Sequence, residues 1–333
     1  VVFKRMLGAL GVGAPSVDTV LATPLVRPGG ALSGEVRLAG GDFDADIEHI
    51  TLGLVAGVEI EGGEGEASGL AEFYRVQVSG PFRLAEKERR TIPFQITLPW
   101  ETPLNEVEGQ PLAGMAVGVR TELAIAKAVD KGDLDPVAVE PLPSQLRVLR
   151  SFLELGFQFR SADVEVGQIY GVRQELPFYQ EIEFYPPPRY AGQVGEVELT
   201  FVADPHGLEV ILEADKRSGR FGGSSDAIGR FRVSHDEAQA MDWAGEIDRW
   251  LSGLAHFGGH GYGHGGHDSG HGFGHGGHYS DHHGGHHGGH HGGGAGLGAV
   301  AAAGAAGLVG GYLAGEAIEE IFESDDEGGG DDW

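Results

Sequence analysis

The sequence predicts an all-β protein: two antiparallel β-sandwiches, one C-terminal helix and a low-complexity tail. Three observations carry this prediction. Apolar residues alternate with period two along most of residues 17–233, which places one set of side chains on one face of a strand. Turn-forming clusters interrupt the alternation at short intervals, with almost no helical period between them, a pattern of sandwiches rather than βαβ units. From about residue 256 the composition turns to glycine and histidine and then to acid, a mixture too poor in apolar residues to build a core.

In chain order, the first clear strand holds Ile50, Leu52, Leu54, Ala56, Val58 and Ile60 at every second position. Ile92, Phe94, Ile96 and Leu98 follow, then Val117, Val119, Thr121, Leu123 and Ile125. The second half repeats the pattern at Leu153, Leu155, Phe157 and Phe159, at Val197, Leu199 and Phe201, and at Leu208, Val210 and Leu212. Polar residues between them favour antiparallel sheets with one wet face. Pro28-Gly29-Gly30, Gly40-Gly41-Asp42, Ser79-Gly80-Pro81 and Asp204-Pro205-His206-Gly207 read as turns.

Residues 129–145 are polar and proline-bearing and read as a linker. It separates a sandwich over 1–128 from a second over 146–255. A helix over 234–254 closes the second unit. Ser234 and Glu237 have the spacing of a capping box, and Met241, Ala244, Ile247, Leu251 and Leu254 form an apolar stripe flanked by Trp243 and Trp250. A shorter helix is expected over 3–10. The tail divides into a His/Gly tract (256–293), a Gly/Ala segment (294–315) and an acidic end (316–333).

Composition narrows the function. The net charge is −27 with the histidines neutral, so a phosphate backbone is repelled and nucleic acid is not expected as a partner. Anionic membrane is disfavoured for the same reason, which leaves weak or peripheral contact at most. Other proteins or cations are the expected partners. There is no cysteine, which removes disulfides and thiolate chemistry and fits a reducing compartment. Lys4 and Arg5 precede no apolar run, so a cytoplasmic location is expected. No nucleophile pattern or phosphate loop occurs in the alternating part, so neither enzymatic activity nor a required cofactor is expected.

Two candidate sites lie in the tail. His260, His264, His267, His271, His275, His278, His282, His283, His286, His287, His290 and His291 could ligate zinc, nickel or copper, because glycine spacers let imidazoles converge. Gly307, Gly311 and Gly315 recur four apart, a spacing that lets helices approach closely and favours homo-oligomers. Opposite charges in the His tract below about pH 6 and in the acidic end suggest a second class of function, a metal- or pH-responsive tail.

Several motifs resemble one family. Asp18-Thr19-Val20-Leu21, then 28–38 (PGGALSGEVRL) with Gly40-Gly41, are similar to the opening strands of bacterial sporulation-control proteins of the stage-zero M type. So are 92–103 (IPFQITLPWETP), 175–184 (ELPFYQEIEF) and 208–215 (LEVILEAD). The resemblance runs over about residues 1–255. It implies two arrestin-like sandwiches and a non-enzymatic regulatory or scaffold role, acting through protein contacts with sporulation or cell-division components. It carries no catalytic residues across and leaves the tail unexplained.

Overall fold

The computed structural model describes residues 13–257 apart from 24, 63–64, 193 and 217–226. The strands are β1 (Ser16–Leu21), β2 (Leu25–Val26), β3 (Ala31–Ala39), β4 (Ala45–Gly62), β5 (Gly65–Ser79), β6 (Phe82–Leu84), β7 (Arg89–Thr97), β8 (Glu106–Val107), β9 (Gln110–Pro111), β10 (Val117–Ile125), β11 (Lys131–Pro136) and β12 (Ala138–Val139) in the first half. The second half adds β13 (Gln158–Val166), β14 (Phe178–Tyr185), β15 (Val194–Ala203), β16 (Gly207–Lys216) and β17 (Ala227–Ser234). The helices among the described residues are α1 (Pro143–Glu154), α2 (His235–Ala240) and α3 (Trp243–Phe257).

The first half is a two-layer sandwich. One layer is β1-β3-β7 and the other contains β11, β10 and β4, with β5 and β6 also paired to β4. The alternation predicts the packing: Ile50, Leu52, Leu54 and Ala56 of β4 meet Leu32, Val36 and Leu38 of β3 and Phe94 and Ile96 of β7 in one core. The layers are also tied by polar atoms, since the buried hydroxyls of Thr19 and Thr121 lie 2.6 Å apart. Such a pair replaces two buried donors without acceptors by one satisfied contact.

Residues 129–145, expected as a linker, contain β11, which pairs with β10, and β12, which runs parallel to β2. The boundary contracts to the prolines around α1. Pro143 takes the first helical position, where its missing N–H costs nothing, and the Gln145 side chain accepts from the Leu142 N–H at 2.8 Å.

In the second half, β13-β14-β15-β16-β17 form an antiparallel run. Its core face carries Ile182, Phe184, Val197, Leu199, Val210 and Leu212, and helices close it. Phe152 of α1 stacks on Phe184 at 4.6 Å between centroids, and Trp243 of α3 meets Phe231 edge-on at 5.5 Å. The alternation at Leu153 and Leu155 therefore differs from the expected strand: it falls at the C-terminal end of α1, and the strand begins only at Gln158. The expected helix over 234–254 is two. The capping box at Ser234 and Glu237 forms and opens α2, but the chain is extended at Met241 and Asp242 starts α3, accepting from the Gly245 N–H at 3.1 Å. Trp243, Ile247 and Leu251, spaced by four, are fully buried.

Candidate functional site

The two halves share a sheet. β4 leaves the first sandwich and makes a parallel bridge to β13 at Glu59 and Glu165, so one ten-stranded sheet crosses both. Around this bridge Val58, Ala71, Val164, Leu176 and Phe178 form their own apolar cluster, with Phe73 edge-on to Phe178 at 5.5 Å. Polar staples lock the joint. The Gln180 side chain donates to the Leu104 carbonyl at 2.6 Å and accepts from its N–H at 2.9 Å. The Glu101 carboxylate accepts from the Glu175 and Leu176 N–H groups at 2.8 Å, yet burial, its largest influence, moves it above the usual carboxylate range.

A serine–histidine pair lies in the same region. Ser144 Oγ is 2.9 Å from His235 Nδ1, while His235 Nε2 is 2.9 Å from the Asp204 carbonyl. Trp100 stacks on the imidazole at 5.7 Å. The residues suggest a nucleophile and base, but the surroundings do not. Ser144 is 1% exposed, and the nearby cavity lined by Trp100, Leu104, Gln145 and Gln180 has a volume of about 10 Å³, room for about one water. The contact instead ties α1, α2 and the β15–β16 turn to the first sandwich.

The most unusual chemistry is on the other face of the second sheet. Asp163-Val-Glu165, Glu181-Ile-Glu183 and Glu196-Val-Glu198 are acid–apolar–acid runs on β13, β14 and β15. Antiparallel register sets Asp163 opposite Glu181, Glu183 opposite Glu198, and Glu198 opposite Glu213. Like charges directly across a ladder repel. Two trios each bring one oxygen per residue within 4.8 Å of the others: Asp163, Glu165 and Glu181, and Glu183, Glu196 and Glu198. Arg160 pairs with Glu183 at 3.1 Å and also with Glu196. In the first trio Glu165 accepts from the Tyr179 hydroxyl at 3.1 Å. Glu181 is 5% exposed, and its Oε1 has no hydrogen-bond partner among the described residues.

Burial, then the charges of Glu198, Glu165 and Asp163, push Glu181 up to about 10. Burial and then Glu213 push Glu198 up to about 8. The Tyr179 phenol is also raised, first by burial and then by Glu181. At neutral pH the face thus holds protons that ordinary carboxylates release, or holds something else positive in their place.

The sequence-predicted site residues, the twelve histidines from His260 to His291 and Gly307, Gly311 and Gly315, lie outside the described residues, as does the expected helix over 3–10. The sequence pattern does not single out the acidic face. Its signal is the acid–apolar–acid run repeated on three successive strands, which singly reads as a solvated edge.

Fold and faces define a β-sheet protein of two welded units, whose uncommon chemistry sits on a sheet surface. Residues 3–218 match the SpoOM protein family, Spo0M, and the chain belongs to that family. It is 32% identical over 253 residues to the sporulation-control protein spo0M of Bacillus subtilis (strain 168), covering 74% of this chain and 95% of the relative. The crystal structure of Bacillus subtilis Spo0M superposes with a TM-score of 0.64 at 30% identity, covering 73% of this chain and all of that one. Membership supports a sporulation-related role. Among the described residues no helix is long and apolar enough to cross a membrane.

Proposed function

We propose that the protein is a non-enzymatic, cytoplasmic regulatory scaffold that acts in sporulation or cell division by binding other proteins. Family membership supports the process. The observation that carries the mechanism is an open sheet edge. Among the described residues β17 pairs only with β16, contains no proline and presents Ile228 at 46% exposure. An edge strand offers unpaired N–H and C=O groups to an added strand. The edge at β7 is blunted by contrast: Pro93 lacks a donor, and Arg89 and Arg90 add charge. The sealed Ser144 hydroxyl supports a structural rather than a catalytic use of the one serine–histidine contact described above.

A photo-crosslinking residue at Ile228 in living cells tests this. A discrete protein adduct during sporulation or division, absent when the probe sits at Arg37 on β3, is the expected result. Equal labelling at both positions contradicts use of the β17 edge.

A further inference from the structure

We propose that Asp163, Glu165 and Glu181 form a binding site for a hard divalent cation, and that calcium is the ion their arrangement favours. All three donors are carboxylate oxygens, the ligands of hard cations rather than of zinc, nickel or copper. The strands place them: Asp163 and Glu165 are two apart on one face of β13, and Glu181 is directly across from Asp163 on β14. Their oxygens lie within 4.8 Å of one another. Calcium accepts irregular cages of protein carboxylates, whereas magnesium demands near-ideal octahedral geometry and keeps several of its waters, so a set of three protein carboxylates held by two strands suits calcium better.

A group of acids on a surface often binds nothing, and the case rests on Glu181. The residue is 5% exposed. One of its carboxylate oxygens lies within 4.8 Å of those of Asp163 and Glu165, and its Oε1 has no hydrogen-bond partner among the described residues. No ion pair among the described residues involves it. A buried polar atom without a partner is costly and uncommon. A cation between these strands would supply that partner and would remove the repulsion between Asp163 and Glu181 at the same time. The neighbouring trio differs, because the Arg160 guanidinium already sits against Glu183 and Glu196. Tyr179 holds Glu165 by a hydrogen bond, which fixes one ligand beforehand, and the buried Thr200 faces Glu181 from β15.

The test is calorimetric titration of the full chain with calcium chloride. Saturable binding of about one ion, weakened about tenfold or more in both Glu181→Gln and Asp163→Asn but kept in Glu183→Gln, is expected. The histidine tract and the acidic end remain in every variant, so binding there would be equal in all of them. Terbium luminescence gives an independent readout that needs no disruptive change. Emission sensitised through Tyr179 should appear on terbium addition, disappear with excess calcium and be lost in Asp163→Asn in parallel with the calcium heat. Absence of saturable binding at about 5 mM calcium, several times the weakest class of calcium site, overturns the proposal. So does binding that Glu181→Gln and Asp163→Asn leave unchanged. If Glu181→Gln fails to fold, Asp163→Asn decides the question in both the calcium heat and the terbium emission.

Discussion

Replacing Glu181 by Gln should change how stability depends on pH. Gln keeps the shape of the side chain and cannot ionise. In the wild type, burial and then the charges of Glu198 and Glu165 push the Glu181 carboxyl up to about 10. Well below pH 4.5 the proton is bound in both folded and unfolded chains, and this group sets no penalty. As pH rises past the ordinary carboxylate range, the unfolded chain releases the proton while the folded chain keeps it. Stability therefore falls, and goes on falling toward the folded value. The limiting slope is about 1.4 kcal/mol per pH unit. Between pH 5.5 and 7.5 that is about 3 kcal/mol, and relaxation of the sheet with entry of water reduces it to about 1–3 kcal/mol. Urea unfolding of both proteins in chelator at pH 5.5, 6.5 and 7.5 measures it. The variant should gain on the wild type by that amount as pH rises. Parallel curves would refute the buried-carboxylate reasoning.

Three further outcomes follow from packing and backbone geometry. Gln180→Leu leaves the Leu104 N–H and carbonyl buried without their partners and should cost about 2–4 kcal/mol in urea unfolding. Gly114→Ala requires a residue at φ +92° and a Cβ 2.2 Å from the Ala162 carbonyl oxygen. It should lower the thermal midpoint by an amount equivalent to at least about 1–3 kcal/mol. Ser234→Ala removes the α2 cap, in which Ser234 Oγ accepts from the Glu237 N–H at 3.2 Å, and should cost about 1 kcal/mol, read by chemical unfolding; no change would mean that Asp242 and α3 hold this end unaided.

Period-two alternation marks β4, β7, β10, β15 and β16, because in each of them residues at every second position pack into the shared core. It failed at residues 153–159, where apolar positions in a helix end and a strand start happen to fall two apart. The true signal there was Val148, Leu149 and Phe152 at helical spacing behind Pro143. The break between α2 and α3 was hidden because the apolar stripe runs through it, while Asp242, an N-cap residue, marks it. The acidic face could not be assembled from sequence. Each acid pair reads as a wet edge, and only strand register puts Asp163 across from Glu181 and Glu198 across from Glu213. The joint at Glu59 and Glu165 spans more than a hundred residues and rests on contacts that no local pattern encodes.

The regulatory reading stands or falls on sporulation and division in the protein's own host. Deleting the gene should shift sporulation frequency or septum timing. The wild-type gene should restore it, and a gene carrying Ile228→Lys, which sets a charge on the open β17 edge, should fail to do so while accumulating as folded protein. Full restoration by the Ile228→Lys gene, or a deletion strain that sporulates and divides like its parent, would contradict the account.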